Sequence, residues 1–323
     1  MWICKNFQEV IDSIEHINRT TNAHDTESFD FSTLYTNFEH SSLISNLNWC
    51  FDKAFQDHNR KFVTFSSPYS KFSYFSSHPT LKFKFDIGDS KILNSWIIRN
   101  AYFKCGNIVL IQRIGIPIGA DPAPYQADLG LHKPEFVFIE TLLRQKRWNE
   151  ARTFNHVHRY IDDTNPKNNF GNFAKFKDSI YPPGLIVNKE NSGQSSTSML
   201  EIDISIDPSS HKFVTKLYDK RNDFGFPIVK FPHMSSNIHS KTVYDTFVTQ
   251  VIRYSRVCNN LTYFLFELKP LYSTMVNKGC KKHILLKKLF KTLARKNFGK
   301  NFKISKDKNL LHTCLPRYLN YND

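Results

Sequence analysis

An adjacent pair of aspartates, Asp162 and Asp163, constrains the fold of this chain more than any other feature. The pair follows a predicted strand at 154–161, within the segment RYIDDT (159–164). Asp30 lies in FDFSTLY (29–35), part of another predicted strand that turns into a loop within 28–36. Two divalent metal ions held together need carboxylate oxygens from more than one strand. An aspartate pair on a tight hairpin, beside one from a neighbouring strand, supplies that geometry. The sequence therefore predicts a sheet that brings three carboxylates together.

Each of these features alone is typical of ordinary structure. Aspartate is a favoured turn residue, so an Asp-Asp dipeptide by itself indicates a solvated turn. A single aspartate in a strand indicates a cap or an edge charge. The order and context of the three residues, rather than the residues alone, carry the functional prediction.

Short helices and short strands alternate along the chain. Hydrophobic periodicity and composition predict helices at 6–18, 41–55, 89–101, 125–150 and much of 245–298, and extended segments at 28–36, 59–88, 102–113, 154–161 and 212–219.

The charge balance favours a polyanionic partner. Lys and Arg total 44 against 29 Asp and Glu, a net charge of +15, and basic side chains displace condensed counterions from phosphates. Anionic membranes and ribosomes would also attract such a chain. The most basic stretch, 278–308, fits either a solvated helix face or a surface that contacts phosphates.

Several classes are disfavoured by what the sequence lacks. No apolar run approaches the roughly 20 residues that cross a bilayer, and residues 1–25 do not resemble a signal peptide. The six cysteines are widely spaced, without the C-x-x-C pattern of a zinc site or redox pair. We therefore expect a soluble intracellular protein with reduced thiols and no membrane partner, in the nucleus or the cytoplasm.

Five segments occur in the order found in a known family. The segments are 29–40 (FDFSTLYTNFEH), 115–129 (GIPIGADPAPYQADL), 159–164 (RYIDDT), 200–224 (LEIDISIDPSSHKFVTKLYDKRNDF) and 231–239 (FPHMSSNIH). They resemble the palm motifs of reverse transcriptases, specifically those of Penelope-like retroelements, and the block that follows those motifs. The resemblance covers roughly residues 25 to 260.

The resemblance implies an α+β fold and an RNA-directed DNA polymerase. The palm is an antiparallel sheet backed by helices within 1–240, with partial fingers elements, and 241–323 is a mainly helical, basic, thumb-like region. Asp30, Asp162 and Asp163 are implied to be the catalytic ligands of two Mg²⁺ or Mn²⁺ ions. The implied partners are an RNA template, a DNA primer and deoxynucleoside triphosphates.

The resemblance also assigns nucleotide-binding and nucleic-acid-binding residues. Tyr35 is implied to pack against the sugar of the incoming nucleotide, where its ring excludes a 2′-hydroxyl. The other nucleotide-binding residues are Gly115, Pro117, Gly119 and Tyr160. Residues 212–224 resemble a primer-gripping hairpin, and the predicted nucleic-acid contacts are Lys216, Lys220, Arg221, Arg253, Arg256, Lys287, Lys288 and Lys291. Lys189 is a candidate general acid for the leaving pyrophosphate, although an ordinary surface lysine is the favoured interpretation.

Three departures from the family pattern bear on activity. Only about 30 residues precede Asp30, so we expect the fingers to be incomplete and the chain truncated. TNPKNNFGN follows Asp163 directly, and its Asn, Pro and Gly residues are poor strand formers, which predicts a poorly held metal-bearing turn. Asp121 adds a negative charge beside the expected triphosphate site.

Three functional hypotheses follow. The first is a reverse transcriptase acting by two-metal nucleotidyl transfer. The second is a catalytically inactive retroelement remnant that binds RNA or RNA–DNA duplex. The third is a structural or interaction protein in which the Y-x-D-D segment is incidental.

Overall fold

The chain forms two compact units in the computed structural model, which describes residues 2–65, 73–76, 83–191, 193–226, 228–295, 315–316 and 318–319. Unit 1 comprises Met1–Cys4 and Glu27–Ser192, and unit 2 comprises Lys5–Thr26 and Gly193–Asp323. The division predicted from the motifs, at 240/241, concerns palm-like and thumb-like roles and stays a prediction.

Unit 1 contains nine strands and six helices among its described residues. The strands are β1 (Phe29–Phe31), β2 (Phe62–Phe65), β3 (Ser73–Ser76), β4 (Phe83–Phe85), β5 (Tyr102–Cys105), β6 (Ile108–Ile111), β7 (His158–Tyr160), β8 (Asp163–Asn165) and β9 (Val187–Lys189). The helices are α2 (Leu34–Asn37), α3 (His40–His58), α4 (Ile87–Arg99), α5 (Ala123–Arg144), α6 (Trp148–Thr153) and α7 (Asn172–Ile180).

A four-stranded sheet in the order β7-β8-β1-β9 forms the centre of unit 1, and all its pairings are antiparallel. Phe29 and Phe31 of β1 are buried in a core shared with α3, α5 and α7. Apolar residues at helical spacing, such as Leu43 and Leu47 on α3, supply the helix side of that core. Helices therefore cover one face of the sheet.

Asp163 and the two residues after it form a short strand paired on both edges, so the prediction of a poorly held turn is wrong. β8 lies between β7 and β1, with Tyr160 opposite Asp163 and Phe29 opposite Thr164. The Asn165 side chain donates a hydrogen bond of 2.6 Å to the backbone oxygen of Glu27. Tertiary pairing on both edges outweighs the low strand propensity of these residues.

Two smaller sheets complete unit 1. β3-β2-β4 is one antiparallel sheet, and β5-β6 is a hairpin whose turn contains Gly106 at φ 60°. Both were predicted as extended segments. The predicted helix 125–150 is instead two helices, because α5 ends at Arg144 and α6 begins at Trp148, and β7 begins only at His158.

Unit 2 packs helices against one sheet. Its strands are β10 (Ser196–Met199), β11 (Ile202–Asp207) and β12 (Lys212–Leu217), and its helices are α1 (Phe7–Thr20), α8 (Ser240–Val257), α9 (Leu261–Asn277) and α10 (Lys282–Leu293), with a 3₁₀ turn at Lys220–Asp223. The Asn18 side chain of α1 donates to the backbone oxygen of Phe213 on β12 and accepts from its amide, both at 2.8 Å. α1 is thereby fixed to β12.

Antiparallel sheets and helices together make the α+β class that the sequence predicts. Across the described ranges, no helix has the length and apolar character needed to span a bilayer. None of the five cysteines that the structure describes forms a disulfide bond.

Candidate active site

Three carboxylates converge where the β7-β8 hairpin meets β1. Asp30 lies on β1, Asp162 in the hairpin turn and Asp163 at the start of β8. One carboxylate oxygen from each lies within 4.8 Å of the others, and all three side chains are half-buried. The predicted convergence is present, while the catalytic role of the three residues stays a prediction.

The hairpin turn holds its first residue in an unusual backbone conformation. Tyr160 pairs with Asp163, so Ile161 and Asp162 form a two-residue loop. Ile161 has φ 56°, and a β-branched residue at positive φ is a genuine outlier. Such strain persists only where the surroundings over-determine the conformation.

Hydrogen bonds with two charged side chains fix both the amide and the carbonyl of Ile161. Asp128 Oδ1 accepts a hydrogen bond of 3.1 Å from the Ile161 amide, and an Arg159 guanidinium nitrogen donates to the Ile161 carbonyl at 3.1 Å. The same Arg159 nitrogen lies 2.9 Å from Asp128 Oδ1. The peptide units of the turn are therefore fixed by a charged pair attached to β7 and α5.

Arg159 is fully buried in unit 1, where carboxylates balance its positive charge. Its Nε lies 2.6 Å from Oε1 of Glu135, which is also buried, and the Tyr181 hydroxyl donates to the same oxygen at 3.0 Å. Burial acts to lower the pKa of Arg159, and the Glu135 carboxylate acts to raise it, with a net increase. The arginine thus stays charged in the interior, as a paired buried charge must.

The family motifs do not include this network, although the sequence carries a signal for it. Asp128 and Glu135 are seven residues apart on α5, a spacing that places both on one helix face. Arg159 precedes the Y-x-D-D segment at an inward position of the strand. Two acids on an otherwise apolar helix face indicate a buried cation opposite them.

Tyr35 and Gly115, both predicted to contact the nucleotide, lie close together, while that role stays a prediction. The Gly115 amide donates to the Phe38 carbonyl and the Ile116 amide to the Tyr35 carbonyl, each at 2.9 Å. Gly115 has φ 85°, and an added Cβ would lie 2.2 Å from the Tyr35 carbonyl oxygen. Only glycine permits this approach.

The Tyr35 side chain is electrostatically linked to the carboxylate cluster. Burial is the main cause that raises the pKa of its hydroxyl, and the negative charge of Asp162 raises it further. Tyr160 contributes in the same direction. Tyr35, Tyr160 and Asp162 therefore share one electrostatic environment.

The remaining residues of the 115–121 loop are more open. Pro117 is half-buried, whereas Gly119 and Asp121 are exposed. Gly119 has φ 90°, and an added Cβ there would meet no atom within 4 Å.

Lys189, the candidate general acid, is opposite Phe29 in the pairing of β1 with β9. Its Nζ lies 2.6 Å from Oε1 of the buried Glu27. Lys189 therefore forms an ion pair with Glu27.

Several predicted nucleic-acid contacts of unit 2 carry acidic partners. The ion pairs are Lys216 with Asp203, Arg221 with Asp219, Arg253 with Glu201 and Lys288 with Asp245, at 3.1, 2.8, 2.6 and 2.7 Å. Lys220, Arg256, Lys287 and Lys291 are exposed. Residues 296–308 of the basic stretch lie outside the described residues.

The donor set of the carboxylate cluster fits a hard divalent cation. Three monodentate carboxylate oxygens within 4.8 Å of one another match the oxygen ligands that Mg²⁺ and Mn²⁺ take. Because these side chains are only half-buried, water and substrate oxygens can reach the cluster. Mg²⁺ normally keeps such oxygens among its ligands.

No protein-family model and no curated protein matches the chain. Among solved structures, telomerase from Candida albicans, in complex with a TWJ fragment of telomeric RNA, is similar with TM-score 0.53 and 13% identity over 99% of this chain and 51% of that chain. Apo telomerase from Candida tropicalis is matched at TM-score 0.45 and 14% identity, over 98% and 55% of the two chains.

The chain spans about half the length of the telomerases it matches. At such low identity the likeness to the Candida albicans enzyme concerns the fold alone. The match extends over 99% of the present chain. Together with the central antiparallel sheet, this shows that the chain shares its fold with the matched part of that telomerase.

Proposed function

We propose that the chain is an RNA-directed DNA polymerase that acts by two-metal nucleotidyl transfer. The observation that carries the proposal is the convergence of Asp30, Asp162 and Asp163 within 4.8 Å. These are the residues that the Y-x-D-D motif and its partner strand single out. A fold shared with a polymerase and an acidic cluster at the motif support the same activity.

The residues of the site have distinct tasks in this proposal. The three carboxylates bind the divalent ions, which when bound supply Lewis-acid activation of the primer 3′-hydroxyl and neutralise charge on the triphosphate. Asp128 and Arg159 hold the turn that presents Asp162. Tyr35 packs against the nucleotide sugar, and the Gly115 loop positions the template and nucleotide beside it.

The proposed partners are an RNA template, a DNA primer and deoxynucleoside triphosphates. The Candida albicans telomerase was solved with an RNA fragment, which supports RNA as a partner of this fold. Exposed lysines on α10 suit the phosphates of a duplex, which such surfaces recognise by shape rather than sequence. The origin in a Penelope-like retroelement rests on the motif resemblance.

The test is primer extension with oligo(dT) on poly(rA), with Mg²⁺ or Mn²⁺ in separate reactions. We expect incorporation by the native chain and its loss in Asp162→Asn, because the substitution removes one ligand charge while keeping the side-chain volume. Asp178→Asn, at an exposed aspartate on α7, is the matched control and should leave incorporation unchanged.

A binding protein of the same fold is the second candidate, supported by the exposed basic residues on α10. No incorporation by the native chain, with retention of RNA–DNA duplex binding, would support it over the enzyme. Phosphate-driven binding must weaken linearly as the logarithm of salt concentration rises. Binding that is insensitive to salt would contradict both nucleic-acid functions and leave only an interaction protein.

A further inference from the structure

Helix α6 and the loop 168–171 form an exposed surface of unit 1, which we call the α6 surface. Two hydrogen bonds join the loop region to the last residue of α6. Asn169 Nδ2 donates to the Thr153 backbone oxygen at 2.9 Å, and Asn172 Nδ2 donates to the Thr153 hydroxyl at 3.1 Å. The side chains of the surface that contact solvent include Lys146, Trp148, Arg152, Phe170 and Lys175. None of these belongs to the carboxylate cluster.

Two aromatic side chains of the α6 surface are largely exposed. Trp148 is 53% exposed and Phe170 is 62% exposed. Phe170 has φ 55°, in a loop where Asn168 and Gly171 also have positive φ, 49° and 72°. A bulky residue at positive φ is an outlier, and such conformations cluster at functional sites. The loop therefore holds a strained backbone while most of the ring that it carries faces solvent.

Three cations of the α6 surface form no ion pair with a residue that the structure describes. They are Lys146, Arg152 and Lys175, and all three are exposed. Lys175 Nζ lies 4.8 Å from the centroid of the Phe176 ring, and the Arg147 guanidinium lies 5.3 Å from the same centroid. The start of α6 and the cations of α7 therefore lie side by side.

The acidic residues next to these cations are already engaged in ion pairs. The pairs are Glu140 with Arg144, Glu150 with Arg147 and Asp178 with Lys177, at 3.0, 2.5 and 2.9 Å. The surface thus keeps an excess of positive charge, which favours an anionic partner.

Exposed rings and unpaired cations together fit one kind of anionic partner. Aromatic side chains stack on the bases of single-stranded nucleic acid, and basic side chains bind its backbone phosphates. A duplex keeps its bases stacked inside the helix. An acidic peptide has carboxylates for the cations but no bases for the rings. Single-stranded nucleic acid is therefore the partner that uses both features.

We propose that the α6 surface binds single-stranded nucleic acid, with bases stacked on Trp148 and Phe170 and phosphates bound by Lys146, Arg152 and Lys175. The inference goes beyond the polymerase function and does not rest on it, because binding here needs neither the carboxylate cluster nor a nucleoside triphosphate.

The experiment measures the affinity of the full chain for fluorescent 12-nucleotide oligouridylate and oligothymidylate by anisotropy, in EDTA. We expect both to bind, and the tighter of the two identifies the strand as RNA or DNA. Trp148→Leu and Phe170→Leu remove a ring but keep an apolar side chain. Each should raise the dissociation constant at least about fivefold, since each removes one base-stacking contact.

Two controls separate the α6 surface from general charge and from polymerase activity. Trp96→Leu makes the same change at a 63% exposed tryptophan of α4 and should leave both affinities unchanged. Asp162→Asn should also bind like the native chain, so loss of polymerase activity and loss of this binding are distinguishable.

The two unpaired cations that flank Trp148 should set the salt dependence. The double variant Lys146→Gln and Arg152→Gln should reduce the slope of log affinity against log salt by about 1.4, because it removes two phosphate contacts. Arg99→Gln with Lys104→Gln makes the matched change at two exposed cations elsewhere in unit 1 and should leave the slope unchanged.

Four outcomes would overturn the proposal. The first is absence of binding by the native chain. The second is native affinity in both Trp148→Leu and Phe170→Leu. The third is an equal loss in Trp96→Leu. The fourth is displacement of the oligonucleotide by an oligoglutamate of the same charge as readily as by unlabelled oligouridylate, which would identify the surface as a site for acidic peptides.

Discussion

The most consequential single residue outside the carboxylate cluster is Arg159. Its guanidinium is fully buried and contacts Glu135, Asp128 and the Ile161 carbonyl. Removing one partner of a buried charge network leaves the others uncompensated, which costs far more than removing an exposed pair. Arg159 therefore links the stability of unit 1 to the shape of the turn that carries Asp162.

Arg159→Met should lower the free energy of unfolding by about 3 to 5 kcal/mol, because Asp128 and Glu135 lose their buried counter-charge. Arg144→Met is the matched control, since Arg144 forms an exposed pair with Glu140 on α5, and it should cost about 0.5 kcal/mol or less. Urea denaturation measures both. Similar effects in the two variants would contradict the buried network.

Gly115→Ala and Gly119→Ala separate backbone strain from steric overlap. Both glycines have φ between 85° and 90°, but only at Gly115 would the new Cβ meet a backbone oxygen, at 2.2 Å. We expect Gly119→Ala to cost about 1 to 2 kcal/mol and Gly115→Ala about 2 to 5 kcal/mol, since strain and overpacking add. Denaturation midpoints measure the difference. A smaller effect at Gly115 would be evidence against the tight approach to Tyr35.

At the scale of elements, the central strand β8 is the part that sequence patterns predict worst. Asp163 and Asn165 have low strand propensity, and the partners that outweigh this are β7 and β1, the latter more than 130 residues earlier in the chain. Propensity is local, whereas this pairing is not. In contrast, α1, α3, α4 and the β5-β6 hairpin follow from local periodicity and turn residues, so the sequence predicts them well.

The candidate site likewise contains features that the sequence predicts and features that depend on distant contacts. The convergence of Asp30, Asp162 and Asp163 was predictable because the motif order fixes which strands are neighbours. Arg159, Asp128 and their contacts with Ile161 were not, because a buried ion pair depends on which helix face meets which strand. Residue spacing alone does not supply that information.

Amide hydrogen exchange should distinguish the strands of unit 1. β8 is paired on both edges and largely buried, whereas β5 is exposed throughout. We expect peptides that cover 163–165 to exchange much more slowly than peptides that cover 102–111, because exposed two-stranded ribbons open at low free energy. Equal rates in a mass-spectrometric time course would contradict the central position of β8.

Lysines of α10 should contribute unequally to nucleic-acid binding. Lys291 is exposed, whereas Lys288 lies 2.7 Å from Asp245. If α10 contacts phosphates, Lys291→Ala should reduce the slope of log affinity against log salt by about 0.7 to 0.9, and Lys288→Ala by less because its charge is already engaged. A titration of RNA–DNA duplex binding at several salt concentrations measures both slopes. Equal reductions would indicate that the ion pair opens on binding.

At the scale of the whole molecule, unit 1 contains two half-buried histidines that resist protonation. Burial lowers the pKa of His132 to about 4 and that of His158 to about 2. In the unfolded chain a histidine titrates near its ordinary pKa of about 6.5. Below that pH the unfolded state binds protons that the folded state does not, so stability must fall as pH falls.

We expect the free energy of unfolding to decrease by up to about 2 kcal/mol between pH 6.5 and 5 on account of His158, and by less for the more solvent-screened His132. His158→Phe should weaken this pH dependence, because the ring is kept and the titration is removed. His283→Phe, at an exposed histidine of α10, should not. Thermal melts across this range measure the effect, and a flat profile for the native chain would contradict the burial of His158.

The path of the chain through its two units has a consequence for biosynthesis. Residues 5–26 belong to unit 2, whose other residues begin only at 193. The apolar face of α1, formed by Val10, Ile11, Ile14 and Ile17, packs in the finished protein with elements that leave the ribosome nearly two hundred residues later. Until then this face is exposed to other nascent chains, so folding yield should depend on chaperones that bind hydrophobic helices.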